Sequence, residues 1–300
     1  MYAIIGASGN TGKVVAGKLL AHGEKVRVIG RDPSRLQHLI QKGADAVAAD
    51  VGDAAALTRA FSGAKAVYLM IPPNPGIPNV REDQERVSDA LVKAVQDAGV
   101  KYAVVLSSIG ADKPDKTGPV LGVRNLEQKL NGLAGLNAVC LRAGYFMENL
   151  LPQMGVIKNF GMMGGPLRAD LKVAMIATQD IGAAVAEALV KLDFTGKQAR
   201  ELLGQRDLTY QEVASVIGNA IGKPGLGYMQ LGAAQIKPAL AQMGMSSNMV
   251  DLLLEMTEAL NSGYMAPLEP RSAQNTTSTS IEKFVAEQFV PRFTGQAVGA

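Results

Sequence analysis

Near its start the chain carries Gly6-Ala7-Ser8-Gly9-Asn10-Thr11-Gly12, a GxxGxxG spacing between an apolar run, Tyr2 to Ile5, and a segment of helical periodicity, Lys13 to Ala21. A strand, a glycine-rich turn and a helix in this order leave few folds open. Gly6 lets the chain turn tightly off the strand. Gly9 lets backbone approach a diphosphate with no Cβ between, and Gly12 lets helix and strand pack closely. The helix N-terminus then offers free N–H groups and the positive end of its dipole to phosphate oxygens. Ser8, Asn10 and Thr11 can add side-chain hydrogen bonds. The alternative, a purely structural glycine turn, fits this context less well.

The segments that follow keep the same rhythm. Lys25 to Ile29 reads as a strand, and Asp32-Pro33 opens a helix with Asp32 as N-cap. Ala44 to Ala48 is a strand, and Asp53 starts a helix to Phe61. The apolar run Ala66 to Ile71 ends in the breakers Pro72-Pro73-Asn74-Pro75. Glu82 to Ala98 has Val87, Leu91, Val95 and Ala98 on one helical face. Tyr102 to Leu106 and Ala138 to Leu141 read as strands flanking a helix, Leu121 to Leu133. Strands alternating with helices imply right-handed βαβ units and a parallel sheet covered on both faces. The expected class is α/β, a doubly wound parallel sheet.

Beyond Gly144 the texture changes. Pro152 to Leu171 has no sustained period. Val173 to Ala177 reads as a strand, Asp180 to Leu192 as a helix and Glu201 to Leu203 as a short strand. Thr209-Tyr210-Gln211-Glu212 is a capping box opening a helix to Ile221. Tyr228 to Leu231 is a short strand. Ser246 and Ser247 open a helix striped by Met249, Leu253, Met256 and Leu260, and a last helix covers Ile281 to Phe289.

Arg31 decides the nucleotide. It follows the second strand, about 20 residues after the glycines, where an acid would grip the ribose 2′-OH of NAD. A guanidinium there, with Arg35 one helical turn on, suits a 2′-phosphate, so NADP (NADPH) is favoured over NAD. A solvated strand end is the bland alternative for Arg31. Asp50 and Val51 follow the third strand, where the carboxylate can accept from the adenine amino group and the valine can pack on the ring; a surface turn would look the same. Ile71 and Pro72 follow the fourth strand and would line the cofactor groove, or simply end the strand. All these positions lie at carboxyl ends of parallel strands, where open α/β sheets bind ligands.

Composition excludes other classes. Of 300 residues 47% are hydrophobic and 19% charged, ordinary for a globular chain with a sizeable core. The net charge is only +3 and no long basic run occurs, so a nucleic-acid partner is not expected. The one cysteine, Cys140, precludes an internal disulfide or a cysteine zinc cluster and reads as inert core. The two histidines, His22 and His38, lack metal-ligand spacing. The glycine motif at Gly6 leaves no room for a signal peptide, and no apolar stretch approaches the ~18 residues of a membrane span. A soluble, cytoplasmic protein with no membrane partner is expected.

These residues resemble the NmrA-like family of atypical short-chain dehydrogenase/reductases. The resemblance rests on GASGNTG, the strand end VIGR, Ala49-Asp50-Val51, the turn IPP, VVLSSIGA (Val104 to Ala111), Leu126-Glu127-Gln128-Lys129-Leu130, and above all Arg142-Ala143-Gly144-Tyr145-Phe146-Met147-Glu148-Asn149. It implies an α/β Rossmann doubly wound parallel sheet with a smaller C-terminal α/β substrate domain, residues 1–150 forming the NADP-binding domain, rejoined by about 173–204, and 151–300 mainly the smaller domain; a cleft between them would hold the nicotinamide, approached by Gly144, Tyr145, Phe146 and Asn149. None of the seven tyrosines has a lysine four positions on, so the wider superfamily's Tyr-x-x-x-Lys pair is missing. Some relatives keep a lysine or histidine a turn before the glutamate matching Glu127; here that region is Gly122-Val123-Arg124.

The reading that follows is an NADP(H)-dependent oxidoreductase that passes hydride to a small apolar or aromatic acceptor such as a quinone. Tyr145 is the first candidate for a substrate-facing donor, with Ser107, Ser108 and Asn149 as positioning groups, though packing against the nicotinamide or the core explains Tyr145 as well. Glu127 reads as a helix-surface residue. Eleven of thirteen methionines lie beyond Gly144, more simply as gap-filling core than as a pocket lining. The rival reading is a non-catalytic NADP(H)-sensing regulator with a protein partner; epimerase or dehydratase chemistry stands third. A homodimer is compatible with either of the first two.

Overall fold

The computed structural model describes residues 1–296. Its centre is a seven-stranded sheet in which every pairing is parallel. In chain order the first elements are β1 (Tyr2–Ile5), α1 (Asn10–Ala21), β2 (Val26–Gly30), α2 (Gln37–Ile40), β3 (Asp45–Ala48), α3 (Ala54–Phe61), β4 (Ala66–Leu69), α4 (Val80–Asp97), β5 (Tyr102–Ser108), α5 (Val120–Asn131) and β6 (Asn137–Ala143). The rest are β7 (Tyr145–Phe146), α6 (Gln153–Phe160), β8 (Met163–Gly165), β9 (Val173–Ile176), α7 (Thr178–Lys191), β10 (Lys197–Leu202), β11 (Asp207–Leu208), α8 (Tyr210–Ala220), β12 (Tyr228–Gln230), α9 (Ala233–Gln242), α10 (Ser247–Asn261), α11 (Ile281–Phe284) and α12 (Val290–Thr294). The sheet order is β10-β6-β5-β4-β1-β2-β3, so the order reverses between β1 and β4.

The continuous apolar strands are explained by burial on both faces. In β1, Tyr2 and Ile4 pack into one core while Ala3 and Ile5 pack into the other. In β4, Ala66 and Tyr68 face the first core, and Val67 and Leu69 the second. Helices α1 and α7 cover the first face, and α3, α4 and α5 the second. Alternate residues point to opposite faces, so a two-sided strand needs apolar residues at both parities.

Asp53 and Ser246 cap α3 and α10 as their sequence positions predict, accepting from the backbone N–H of Ala56 and Met249, and Asp32 accepts from Ser34 N–H to cap a 3₁₀ turn, Pro33–Leu36, that leads into α2. The Thr209–Glu212 capping box is present in both directions. The expected short strand at Glu201 to Leu203 is instead the longer β10, which joins the main sheet beside β6. As an edge strand it carries exposed Ala199 and Arg200, and its apolar signal is thin. A smaller group of elements packs a separate core of Met147, Met175, Ile217, Phe284 and Phe289, around the sheet β11-β9-β7 and the pair β12-β8. Among the described residues, no helix is long and apolar enough to cross a membrane, and no His/Cys/Asp/Glu cluster could hold a metal.

Candidate functional site

The glycine loop leaves β1 at the point where the strand order reverses. Gly6 has φ +66°, and a Cβ there would lie 2.9 Å from the Met70 sulfur. A Cβ on Gly12 would lie 2.2 Å from the Gly6 carbonyl oxygen, a backbone collision. The loop therefore requires glycine at both positions. Gly9 is the N-cap of α1 and supplies no side-chain cap, and no acidic residue stands in the first turn. The helix N-terminus thus has uncapped N–H groups and no competing negative charge, which suits a diphosphate.

The neighbouring side chains divide. Asn10 is exposed and Ser8 half-buried at the loop surface. Thr11 is turned inward, and its hydroxyl accepts from Tyr68 at 3.2 Å, so it helps fix α1 to β4 rather than extending from the loop. Arg31 and Arg35 are exposed at the end of β2, and among the described residues neither guanidinium has a carboxylate partner. Asp50 is engaged locally: it accepts from Gly52 N–H at 2.8 Å and stands 3.6 Å from the Arg86 guanidinium. Val51 is half-buried against the second core.

A cleft of about 500 Å³ opens along the carboxyl ends of β4, β5 and β6. It brings together Ile71, Pro72, Ser107, Ser108, Gly144, Tyr145, Phe146 and Asn149, which the sequence scatters over eighty residues. Met70 lines it and also sits against Gly6, so cleft and glycine loop share a wall. The outer wall is α10, with Met249, Leu253, Met256 and Leu260, joined by Met265. Two bonds fasten this wall to the segment after β4: Ser246 N–H to the Pro75 carbonyl, 2.9 Å, and Val80 N–H to the Asn248 side chain, 3.0 Å. Four methionines thus line the cleft, where the sequence reading preferred core filler to a pocket lining; Met147, Met163 and Met175 do fill the core.

Glu127 corrects the sequence reading most sharply. It is 5% exposed, not a surface residue. Its carboxylate holds Arg142 through two bonds, 3.1 Å from Nε and 2.6 Å from Nη2, and accepts from Ser107 Oγ at 2.5 Å. Ser107 therefore spends its proton on Glu127 and faces the cleft as an acceptor. Gly122 leaves room for the Gln84 amide, whose carbon would be 2.2 Å from a Cβ there. Arg124 turns away, donating to the carbonyls of Ala111 and Asp112 at 3.0 Å. The stretch Gly122-Val123-Arg124 therefore aims no cation at the cleft.

Tyr145 is held by its neighbours. Its hydroxyl accepts from Tyr210 at 3.0 Å, and the rings meet edge-on at 6.3 Å. Burial raises the Tyr145 pKa, opposed by hydrogen bonds from Tyr210 and Asn149. A raised pKa keeps the Tyr145 phenol neutral at ordinary pH. Gly144 is required because a Cβ would lie 2.4 Å from the Ala174 carbonyl oxygen. Cys140 lies in the second core, and burial pushes its thiol far up, so it is unreactive as expected. Sequence reading gave no functional role to Tyr210 or to Lys172 at the cleft rim.

The NmrA-like family model matches residues 2–285. The chain belongs to the NmrA-like family. Within curated relatives it is 29% identical over 268 residues to the NAD(P)H azoreductase of Xenophilus azovorans, covering 89% of each chain. It is 29% identical over 267 residues to quinone oxidoreductase 2 of Escherichia coli strain K12, covering 88% of this chain and 89% of that one. A crystal structure of the NADPH-dependent Escherichia coli quinone oxidoreductase with NADPH matches with a TM-score of 0.75 at 24% identity, covering 100% of this chain and 96% of that chain. That likeness shows the Rossmann-type fold of the family.

Proposed function

We propose that this protein is an NADPH-dependent reductase of small apolar or aromatic acceptors, quinones foremost, working without a Tyr-x-x-x-Lys pair. The observation that carries the reading is the shared wall: Met70 joins an uncapped, glycine-lined helix N-terminus to an apolar cleft holding Tyr145. The names of the two curated relatives and the NADPH in the solved one support it.

The bound cofactor would supply the hydride; the chain's part is to bind, orient and protonate. Gly6, Gly9 and Gly12 would admit the diphosphate to α1, with Ser8 and Asn10 beside it. Arg31 and Arg35 would hold the 2′-phosphate, Asp50 and Val51 would border the adenine, and Ile71 and Pro72 would line the cofactor groove. Ser107, Gly144, Phe146 and Asn149 would frame the nicotinamide end. The cleft methionines suit a flat apolar acceptor, and their flexibility tolerates variation in its shape. A quinone takes up one hydride and one proton; the proton comes from the Tyr145 hydroxyl, which water then restores. In this reading residues 1–150, with about 173–204, hold the dinucleotide, and the remainder of 151–300 shapes the acceptor site.

Titration should give tighter binding of NADPH than NADH, and Arg31→Ala should shrink the difference; an unchanged ratio rejects the role of Arg31. NADPH oxidation over a panel of quinones and aldehydes separates reductase from sensor: tight binding with silence across the panel rejects the reductase. Tyr145→Phe should lower kcat about a hundredfold at unchanged NADPH affinity, in the range of a positioned general acid.

A further inference from the structure

We infer that Tyr210 is a positioning residue that takes the place of the absent lysine, donating its hydroxyl hydrogen to Tyr145 and so freeing the Tyr145 proton for the acceptor. The inference rests on Tyr145 being the proton donor.

Three observations carry it. Tyr210 lies behind Tyr145, 4% exposed and outside the cleft wall, so it touches no ligand directly. Its Oη is 3.0 Å from the Tyr145 Oη. Among the described residues its environment offers it no other hydrogen-bond partner. Tyr228, whose ring lies 4.6 Å from that of Tyr210, gives its hydroxyl hydrogen to the Leu167 carbonyl at 2.8 Å. That hydroxyl is turned to the loop, and the pair Tyr210–Tyr145 is not a wire to solvent through Tyr228. Tyr210 has Tyr145 as its hydrogen-bond partner, and a phenol supplies one hydrogen only. With Tyr210 donating, the remaining Tyr145 hydrogen can point into the cleft.

The local fold fixes this meeting. Tyr210 is the first residue of α8, set by the Thr209–Glu212 capping box. β11, two residues earlier, pairs antiparallel with β9, and β9 pairs parallel with β7, which carries Tyr145 opposite Met175. Three short strands therefore bring the start of α8 to the side of the cleft.

The step balances simply. The O–H bond of Tyr145 breaks, its proton forms an O–H bond on the reduced acceptor, and the charge left on the Tyr145 oxygen is held by the Tyr210 O–H. Water from the cleft reprotonates Tyr145. Tyr210 keeps its own proton throughout; burial beside Tyr145 raises its pKa well above the ordinary value. A lysine in the usual pair would lower the tyrosine pKa by charge; here a neutral donor opposes, by hydrogen bonding, the rise that burial imposes on Tyr145.

The test is a double-mutant cycle on kcat for quinone reduction by the full chain. Tyr210→Phe should cut kcat about tenfold, the scale of one hydrogen bond, with NADPH affinity and acceptor KM little changed. In a Tyr145→Phe background the same substitution should do nothing more, because it acts through the lost hydroxyl. Equal losses in both backgrounds, or no loss in the native one, overturn the inference. If Tyr145→Phe alone retains full kcat, the donor reading falls first, and the two failures are told apart. Should Tyr210→Phe not fold, 3-fluorotyrosine placed at 210 keeps the shape and makes a stronger donor. It should then lower the pH at which kcat falls on the alkaline side, and an unmoved profile counts against the inference.

Discussion

A single charged residue in the core can be expensive or structural depending on its partners, and Glu127 is the instance here. Its side chain and that of Arg142 are 7% and 14% exposed, and the carboxylate is satisfied by both guanidinium bonds and by Ser107. Breaking a buried pair from one side strands the other charge, at a cost of roughly 3–5 kcal/mol. Glu127→Leu should therefore lower stability by about that amount, read as a shift in urea midpoint, while the double substitution Glu127→Leu/Arg142→Leu should recover part of the loss. A single substitution that is neutral would show that Arg142 reaches water. This residue was illegible in the sequence for a physical reason. A glutamate on an amphipathic helix matches the hydropathy of a solvated face, and its partner lies 15 residues on in a strand. The glycine loop was legible because its constraint is local: both Gly6 and Gly12 collide with nearby atoms if a Cβ is added.

At the scale of elements, legibility followed the strength of periodic and capping signals. The two-sided strands β1, β4 and β5 and the capped helix α8 were readable, since burial and caps leave marks within a few residues. Helices α6 and α9 were not: α6 sits among Gly, Met and Pro residues, and α9 carries Pro238 in its interior. The cleft wall α10 was readable as a helix, but its methionines could not be assigned to a pocket without knowing what they face. One fastening between elements has a defined pH signature. Glu282, at the start of α11, pairs with Arg206 in the turn before β11, and that guanidinium pulls its pKa down to about 2. The folded value lies below the ordinary value of 4.5, so the stabilising effect is complete above about pH 4.5 and disappears as pH falls toward 2. The Glu282 side chain is 52% exposed, so solvent screening keeps the effect below about 1 kcal/mol. Glu282→Gln should be slightly less stable than the native chain near neutral pH and equal to it near pH 2, with the gap narrowing in high salt. A gap that widens on acidification would contradict the pairing.

The whole molecule depends on chain that returns to the sheet after leaving it. Helix α7 buries Ile181, Val185 and Leu189 against the face that holds Val15 and Leu19 of α1. Gly182 allows that approach, since a Cβ there would meet Val14 at 2.6 Å. β10 then closes the edge beside β6 through six residue pairs, Lys197 to Leu202. A fragment ending at residue 150 would keep six strands and the glycine loop but lose both of these covers. Exposing Ile181, Val185, Leu189 and Phe194's counterparts on α1 and the strands forfeits roughly 1.5–3 kcal/mol for each large side chain uncovered, against total stabilities of about 5–15 kcal/mol. The fragment 1–150 should therefore lack a cooperative urea transition, measured by circular dichroism, whereas the full chain should show one that NADPH shifts to higher urea. Cooperative unfolding of the isolated fragment would mean that α7 and β10 are accessories to residues 1–150, and that the order in which the chain leaves and rejoins its sheet carries no weight in holding the cleft together.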